Sequence, residues 1–297
     1  MEGFITSGKM LATGHSICET RVGQIVKAKV QGEPKVAVVL PTYCEAENIE
    51  SLVREVEELG LNLLIAVIDD SSPDGTADIV KRLQEEYDNI FLFSRPEKLG
   101  LGTAITTGFR FLLQLGDPDY IITMDADYSH NPQDMPRLIG AAKGNFDLVI
   151  GSRYYKGGKI VGLHWGRRLI SRLANFIATT TIGLKVRDCT SGFRCYSRHY
   201  VETVVHNLHT QTYEIQIETL RQAQLHGFNV KEVPITFVNR KRGKSKLTAA
   251  EFRAFLTYII KVTWGRLDLL LNQVEKRTES PRLLQQEGSG GELRDGI

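Results

Sequence analysis

Cysteine is scarce in this chain: Cys18, Cys44, Cys189 and Cys195 are the four among 297 residues. No two form a Cys-x-x-Cys pair, and no histidines join them at zinc-finger spacing. A structural zinc site and a disulfide framework are therefore not expected, and a reducing compartment is. Charge of one sign is also lacking. With 37 Lys and Arg against 35 Asp and Glu the net charge is +2, whereas a dedicated nucleic-acid binder is usually strongly basic, so no nucleic-acid partner is expected. Long apolar runs are missing too. A membrane span needs ~20 predominantly apolar residues, and the best candidate, Ala254 to Leu271, is broken by Lys261, Arg266 and Asp268. The first twenty residues have no basic segment leading into an unbroken apolar core, so no secretory signal is expected. What remains, with 42% hydrophobic residues, has the composition of a globular protein and excludes collagen-like, coiled-coil and wholly disordered chains.

Within that composition the pattern is strand, turn, helix, repeated. Lys35–Leu40, Leu63–Ile68, Ile90–Phe93, Tyr120–Met124 and Asp147–Ile150 are short apolar runs that predict buried strands. Between them, Ile49, Leu52, Val53, Val56 and Leu59 mark one face of a helix, a second helix is expected near Thr76–Tyr87, and Gly100-Leu-Gly102 opens a third that runs to about Leu115. Strands alternating with helices imply βαβ units and a mostly parallel sheet, an α/β fold of Rossmann-like type. Residues 1–34 read as an N-terminal arm, 35–272 as the folded domain, and 273–297 as a disordered polar tail. A strand is expected over Lys231–Val238. An amphipathic helix is expected from near Thr248, with Phe252, Phe255, Leu256, Ile259 and Val262 on one face.

In open parallel sheets, ligands bind beyond the carboxyl ends of the strands. That rule selects Pro41–Glu45, Asp69–Asp74 and Asp125–Asp127, each carrying acidic or turn residues directly after an apolar run. Asp125-Ala126-Asp127 can share one divalent cation and hold it against a phosphate, since Mg²⁺ prefers a few carboxylates plus substrate phosphates; the plainer alternative is a pair of solvated turn residues. Asp70 could accept hydrogen bonds from a nucleobase or ribose, although Pro73-Asp74-Gly75 is also good turn chemistry. Tyr43 could stack on a base and Glu45 accept from it, or Glu45 could merely favour a helix N-terminus.

The second half is basic. From Arg153 to Val201 there are ten Lys and Arg and one acid, Asp188, and a further run, Arg240-Lys-Arg-Gly-Lys-Ser-Lys246, follows. Nearby acids are too few to neutralise it, so phosphates or an anionic membrane surface are expected ligands. The glycines of Gly100-Leu-Gly102 lack a third at Ile105. They suit close helix–sheet packing better than a dinucleotide site. His130, His164 and His199 have no metal spacing, and Cys189 and Cys195 read as packing residues.

Taken in order, LPTYCE (40–45), IDDSSPDGT (68–76), KLGLGTA (98–104), MDADYSH (124–130), GSRY (151–154), ISRLANF (170–176), DCTSGFRCY (188–196) and FVNRKRGKSKL (237–247) resemble family 2 glycosyltransferases of the GT-A fold, and more narrowly the dolichol-phosphate (polyprenyl-phosphate) mannosyltransferase group. The resemblance implies that Pro41, Tyr43, Glu45, Ile68 and Asp70 line a nucleotide pocket. Asp125 and Asp127, with the Ala126 backbone between them, would hold Mg²⁺ or Mn²⁺ on the donor diphosphate. Ser129 stands where the family often has Gln and is the third candidate for the metal shell; Cys44 stands where it usually has Asn. Arg153, Arg167 and Ser171 would grip an acceptor phosphate, and Arg240 and Lys246 would close over the donor phosphates. Asp127, Arg153, Arg240 and Lys246 are the expected catalytic set. The implied reaction moves mannose from GDP-mannose to polyprenyl (dolichyl) phosphate with inversion, on the cytosolic face of a membrane. With no span in the chain, either direct surface binding or a small membrane-anchoring subunit would attach it. The basic stretch and the 252–262 helix are candidates for surface binding, and packing on the core is the equal alternative for that helix. UDP-glucose as donor, a haloacid-dehalogenase-type phosphatase and a non-catalytic sugar-nucleotide-binding subunit are the rival readings. The order of acids along the chain argues against the phosphatase.

Overall fold

The computed structural model describes residues 35–239 and 253–264. The expectations for the 1–34 arm, the 273–297 tail, Phe252, Arg240 and Lys246 lie outside these residues. Strands β1 (Val36–Thr42), β2 (Leu63–Asp69), β3 (Ile90–Ser94) and β4 (Tyr120–Thr123) alternate with helices α1 (Ile49–Glu57), α2 (Thr76–Glu86) and α3 (Leu101–Leu115), close to the predicted spans. The chain continues through α4 (Met135–Ala142), β5 (Leu148–Ser152), β6 (Lys159–Val161), α5 (Trp165–Ile182), β7 (Arg194–Ser197), α6 (Arg198–Val204), α7 (Ile215–His226), β8 (Val230–Pro234) and β9 (Thr236–Val238). A final helix, α8, covers 253–264.

The main sheet has seven strands in the order β3-β2-β1-β4-β7-β5-β8. Every neighbouring pair is parallel except those of β7, which runs antiparallel between β4 and β5. Both faces are covered, so the central strands are apolar on both sides instead of alternating. Along β1, Ala37 and Val39 pack with Phe109 and Leu112 of α3. Val36, Val38 and Leu40 pack on the opposite side with α1, α2 and α4.

The second half departs from the sequence reading. The single strand expected over Lys231–Val238 is two: β8 pairs with β5 and β9 pairs with β6 in a separate two-stranded sheet. Pro234 ends β8, and a residue without an N–H cannot carry the ladder onward. Helix α8 buries Phe255 and Ile259 in the core and exposes Leu256, Ile260 and Trp264.

Candidate active site

Because β1, β2, β4 and β5 all run the same way, their carboxyl ends open on one edge of the sheet, and the antiparallel β7 brings its amino end to that edge. Register places Thr42 opposite Asp69 and Thr123 opposite Arg194. The predicted segments Pro41–Glu45, Asp69–Asp74 and Asp125–Asp127 therefore meet, and Asp188–Gly192 joins them. Backbone strain concentrates here: Cys44, Ser71 and Tyr128 have φ of 56°, 50° and 59°, a left-handed region costly to most side chains.

On the β1–β2 side the acids are already engaged. Asp69 accepts from Thr42 Oγ1 at 2.9 Å and from Ser72 Oγ at 2.6 Å, tying the two loops together. Asp70 is buried; its Oδ1 accepts from Arg95 Nε at 2.5 Å and its Oδ2 from the Leu99 and Gly100 amides at 3.2 Å. It thus holds the loop that opens α3. Glu45 accepts from Asn48 Nδ2 at 2.9 Å. The Lys98 ammonium sits 4.8 Å from the Tyr43 ring centre. The Ile68 side chain is fully buried in the core, so only its backbone borders this edge.

Past β4, the Asp125 carboxylate is 39% exposed and Asp127 only 5%. Asp127 Oδ1 accepts from the Ser129 amide at 3.0 Å. Ser129 Oγ is buried with no hydrogen-bond partner among the described residues. His130 Nδ1 accepts from the Asp125 amide at 3.3 Å, and its ring stacks on Phe193 at 5.1 Å. Burial pushes the His130 pKa down to about 4, with Arg153 adding to the effect and the Asp127 carboxylate opposing it, so the imidazole is neutral at pH 7. Among the described residues no three His, Cys, Asp or Glu side chains gather as a metal cage. Two carboxylates beside an orphaned hydroxyl are hard oxygen donors, and they fit a Mg²⁺ or Mn²⁺ ion completed by substrate phosphate.

Across the edge, Arg153 is clamped by Asp188, with Nε to Oδ2 at 2.8 Å and Nη2 to Oδ1 at 2.7 Å. Thr190 accepts from the same Nη2 at 2.6 Å. Burial alone would raise the Asp188 carboxyl; the Arg153 guanidinium outweighs it and holds it below the ordinary carboxylate range. Arg153 lies 5.3 Å from the ring centres of both Tyr154 and Phe237. The Tyr154 hydroxyl donates to Ser171 Oγ at 2.8 Å, and Arg172 lies 5.9 Å over the Tyr154 ring. Arg153 and Ser171 are therefore brought together through Tyr154. Arg167 stands in the first turn of α5.

The expectation that the basic stretch is unneutralised holds only in part. Arg153 pairs with Asp188, and Arg198 pairs with Asp117 and Glu202. Arg194 is fully buried and donates to the carbonyls of Cys189, Ser191 and Gln216. Asp188 is the one acid of the stretch and Glu202 lies one turn past Arg198, while Asp117 is brought in by the fold from before β4. The glycine expectation also changes. A methyl group on Gly100 or Gly102 would lie within 2.5 Å of the Gln211 or Thr210 carbonyl oxygen, whereas Gly108 is the one packed on the sheet, against Val39. Cys189 and Cys195 are buried, and burial pushes the Cys189 thiol up to about 12, which suits packing and not nucleophilic chemistry. Sequence reasoning missed Tyr154, Asp188 as the partner of Arg153, and the amino end of β7. The lone acid of a basic stretch was the available signal.

Residues 37–205 match the glycosyl transferase family 2 model. The chain is 35% identical over 246 residues to the polyprenol monophosphomannose synthase of Mycolicibacterium smegmatis, covering 81% of this chain and 92% of that protein. It is 36% identical over 216 residues to the undecaprenyl-phosphate mannosyltransferase of Micrococcus luteus, covering 72% and 88%. In fold it is similar to glucosyl-3-phosphoglycerate synthase from Mycobacterium tuberculosis, crystallised with Mn²⁺, UDP and glucosyl-3-phosphoglycerate, at a TM-score of 0.57 and 20% identity over 82% of this chain and 83% of that one. With a matching family model over more than half its length and close relatives over most of theirs, the chain belongs to glycosyl transferase family 2.

Proposed function

We propose that this protein transfers mannose from GDP-mannose to a polyprenyl (dolichyl-type) phosphate. The observation that carries the reading is the similarity, across most of the chain, to two enzymes named for mannosyl transfer onto polyprenyl carriers. The strand-end edge described above supports it. An acceptor phosphate monoester has its second pKa near ~6 and is largely anionic at pH 7, so no strong general base is required. Its oxygen bonds to the anomeric carbon from the face opposite the leaving group. The bond from that carbon to the β-phosphate oxygen of the donor breaks, and GDP departs. A divalent ion, Mg²⁺ or Mn²⁺, held by Asp125 and Asp127 with Ser129 in reach, would neutralise charge on the leaving diphosphate. The neighbours with Mn²⁺ in their crystals support a divalent ion of this class.

The chain's own residues supply position. Asp70 shapes the loop from Arg95 to Gly100 that borders the nucleotide side with Pro41, Tyr43 and Glu45. Arg153, fixed by Asp188, and Ser171 form the acceptor-phosphate side with Arg167, and Arg172 extends it. Arg240 and Lys246 are assigned to the donor phosphates on the family resemblance. Holding both reactants in line is the main contribution expected of such a site.

The acceptor's lipid tail needs a surface. No helix among the described residues is long and apolar enough to cross a membrane. Helix α5 instead carries Trp165, Leu169, Leu173 and Phe176, all between 55% and 74% exposed, at helical spacing along one face. Ser171 of the same helix meets Tyr154 beside Arg153. An apolar stripe with Arg168 and Arg172 on the same helix fits an anionic bilayer surface. This supports a peripheral position at a membrane surface, with or without a small anchoring subunit; the cytosolic face is assigned on the family resemblance.

The test is transfer of labelled mannose from GDP-mannose to a short polyprenyl phosphate with Mg²⁺. Label in the lipid phase, abolished by EDTA, is the expected result. Transfer from UDP-glucose instead would keep the chemistry and change the sugar. Nucleotide binding with no transfer from any donor, in the presence of vesicles, would overturn the catalytic reading.

A further inference from the structure

The roles assigned so far account for the diphosphate and the acceptor but name no partner for the sugar that moves between them. One buried group faces that gap. Gln216, in the first turn of α7, is 3% exposed, and neither its amide nitrogen nor its amide oxygen has a hydrogen-bond partner among the described residues. Leaving a buried primary amide unsatisfied is costly, and such groups are rare in folded proteins. Asn175, equally buried, is fully used: it donates to Ser171 O and Thr190 Oγ1 and accepts from the Cys189 amide. Neighbours of Gln216 on the helix are also engaged. Glu218 accepts from the His209 and Thr210 amides, and Glu214 from Thr212.

The place that Gln216 faces is defined by a missing side chain. A methyl group on Gly192 would lie 3.4 Å from Gln216 Nε2 and 3.3 and 3.5 Å from the two carboxylate oxygens of Asp125. Any residue other than glycine would fill the space between the amide and the exposed carboxylate. The backbone that carries the amide is fixed, because Arg194 Nη1 donates to the Gln216 main-chain carbonyl at 2.7 Å and to Thr219 Oγ1 one turn on at 2.7 Å.

The chemistry of the amide selects its ligand. It is uncharged and offers both N–H donors and a carbonyl acceptor. A phosphate would use the donors alone and leave the oxygen unsatisfied, whereas a pair of hydroxyls can donate to one end and accept from the other. We propose that Gln216 hydrogen-bonds the hydroxyls of the transferred sugar and takes part in choosing among sugar donors. The inference rests on the reading that Asp125 and Asp127 hold the donor diphosphate.

The experiment is Gln216→Met in the full chain, which keeps length and helix propensity and removes both hydrogen-bonding ends. Affinities for GDP, GDP-mannose, UDP and UDP-glucose are measured by titration calorimetry with Mg²⁺, alongside transfer kinetics. Expected is a five- to tenfold or larger fall in affinity and kcat/KM for the sugar nucleotide, the loss of about one hydrogen bond or two. Affinity for the bare nucleoside diphosphate stays within about twofold, and the preference between the two sugar donors narrows. Should Gln216→Met not fold, Gln216→Ser, which leaves room for water, carries the same comparison. Unchanged sugar-nucleotide binding, or a parallel loss of diphosphate affinity, would overturn the inference while leaving the proposed function standing. A native protein that binds no sugar nucleotide would remove both.

Discussion

Asp127 sits almost fully buried beside the orphaned Ser129 hydroxyl, and its carboxylate is the group whose loss should be felt most. Asp127→Ala is expected to lower kcat by about 10²–10³, the scale of losing one preorganised electrostatic contact to a leaving group. Near-normal turnover in that variant would refute the metal assignment. Asp188 acts through Arg153. Asp188→Asn leaves a buried guanidinium without its counter-charge, and breaking such a pair costs about 3–5 kcal/mol; urea denaturation should show the loss, with a raised KM for the acceptor. His130 gives a pH signature in the metal-free protein. Its pKa is near 4 when folded and about 6.5 when unfolded, so between these values the unfolded chain holds more protons. Stability contributed by the neutral ring is fully present above pH 6.5 and falls as the pH drops toward 4. His130→Gln should flatten that part of the stability curve, and an unchanged slope would count against it. Asp125 and Asp127 were legible as a pair in the sequence because spacing and strand-end position are local facts. The bond from Asp70 to Arg95 was not, because nothing local distinguishes a carboxylate that awaits a ligand from one that already holds a loop.

At the scale of elements, α3 and α5 carry separable predictions. Helix α3 begins against the backbone of the loop at Thr210–Gln211, where a methyl group on Gly102 would lie 2.4 Å from the Thr210 carbonyl oxygen. Gly102→Ala should therefore destabilise by ~1–3 kcal/mol, as overpacking typically does, although alanine is the better helix former. A rise in the thermal midpoint would contradict this. On α5, Leu169→Gln with Phe176→Gln keeps helix-compatible residues and removes two exposed apolar side chains. Co-sedimentation with vesicles containing anionic lipid is expected to fall at least tenfold, with transfer to a water-soluble short-chain acceptor largely retained. Equal sedimentation would place membrane attachment elsewhere. The first-half helices were legible because each has one apolar face. Helix α5 was not, since its apolar residues include both the core-facing Ala178 and Ile182 and the outward stripe, and a helix that is apolar on two sides shows no clean period.

For the whole molecule the deciding feature is the sheet order. Parallel β1, β2, β4 and β5 put their carboxyl ends on one edge, and antiparallel β7 adds Gly192 and the Asp188 loop to it. Function is then a property of that edge and not of any one segment.

The alternation of apolar runs, turn residues and one-faced helices determined the α/β class, the strands up to β5 and the three acidic segments at their ends, because hydrophobic period and turn chemistry act over a few residues. Which strands became neighbours, where Asp188 found Arg153, how Arg194 came to be buried among carbonyls and why Gln216 faces Asp125 across a glycine were decided only in the tertiary structure. Most of those contacts join residues tens of positions apart, and their free energy comes from burial and pairing that exist only once the sheet has closed its layers.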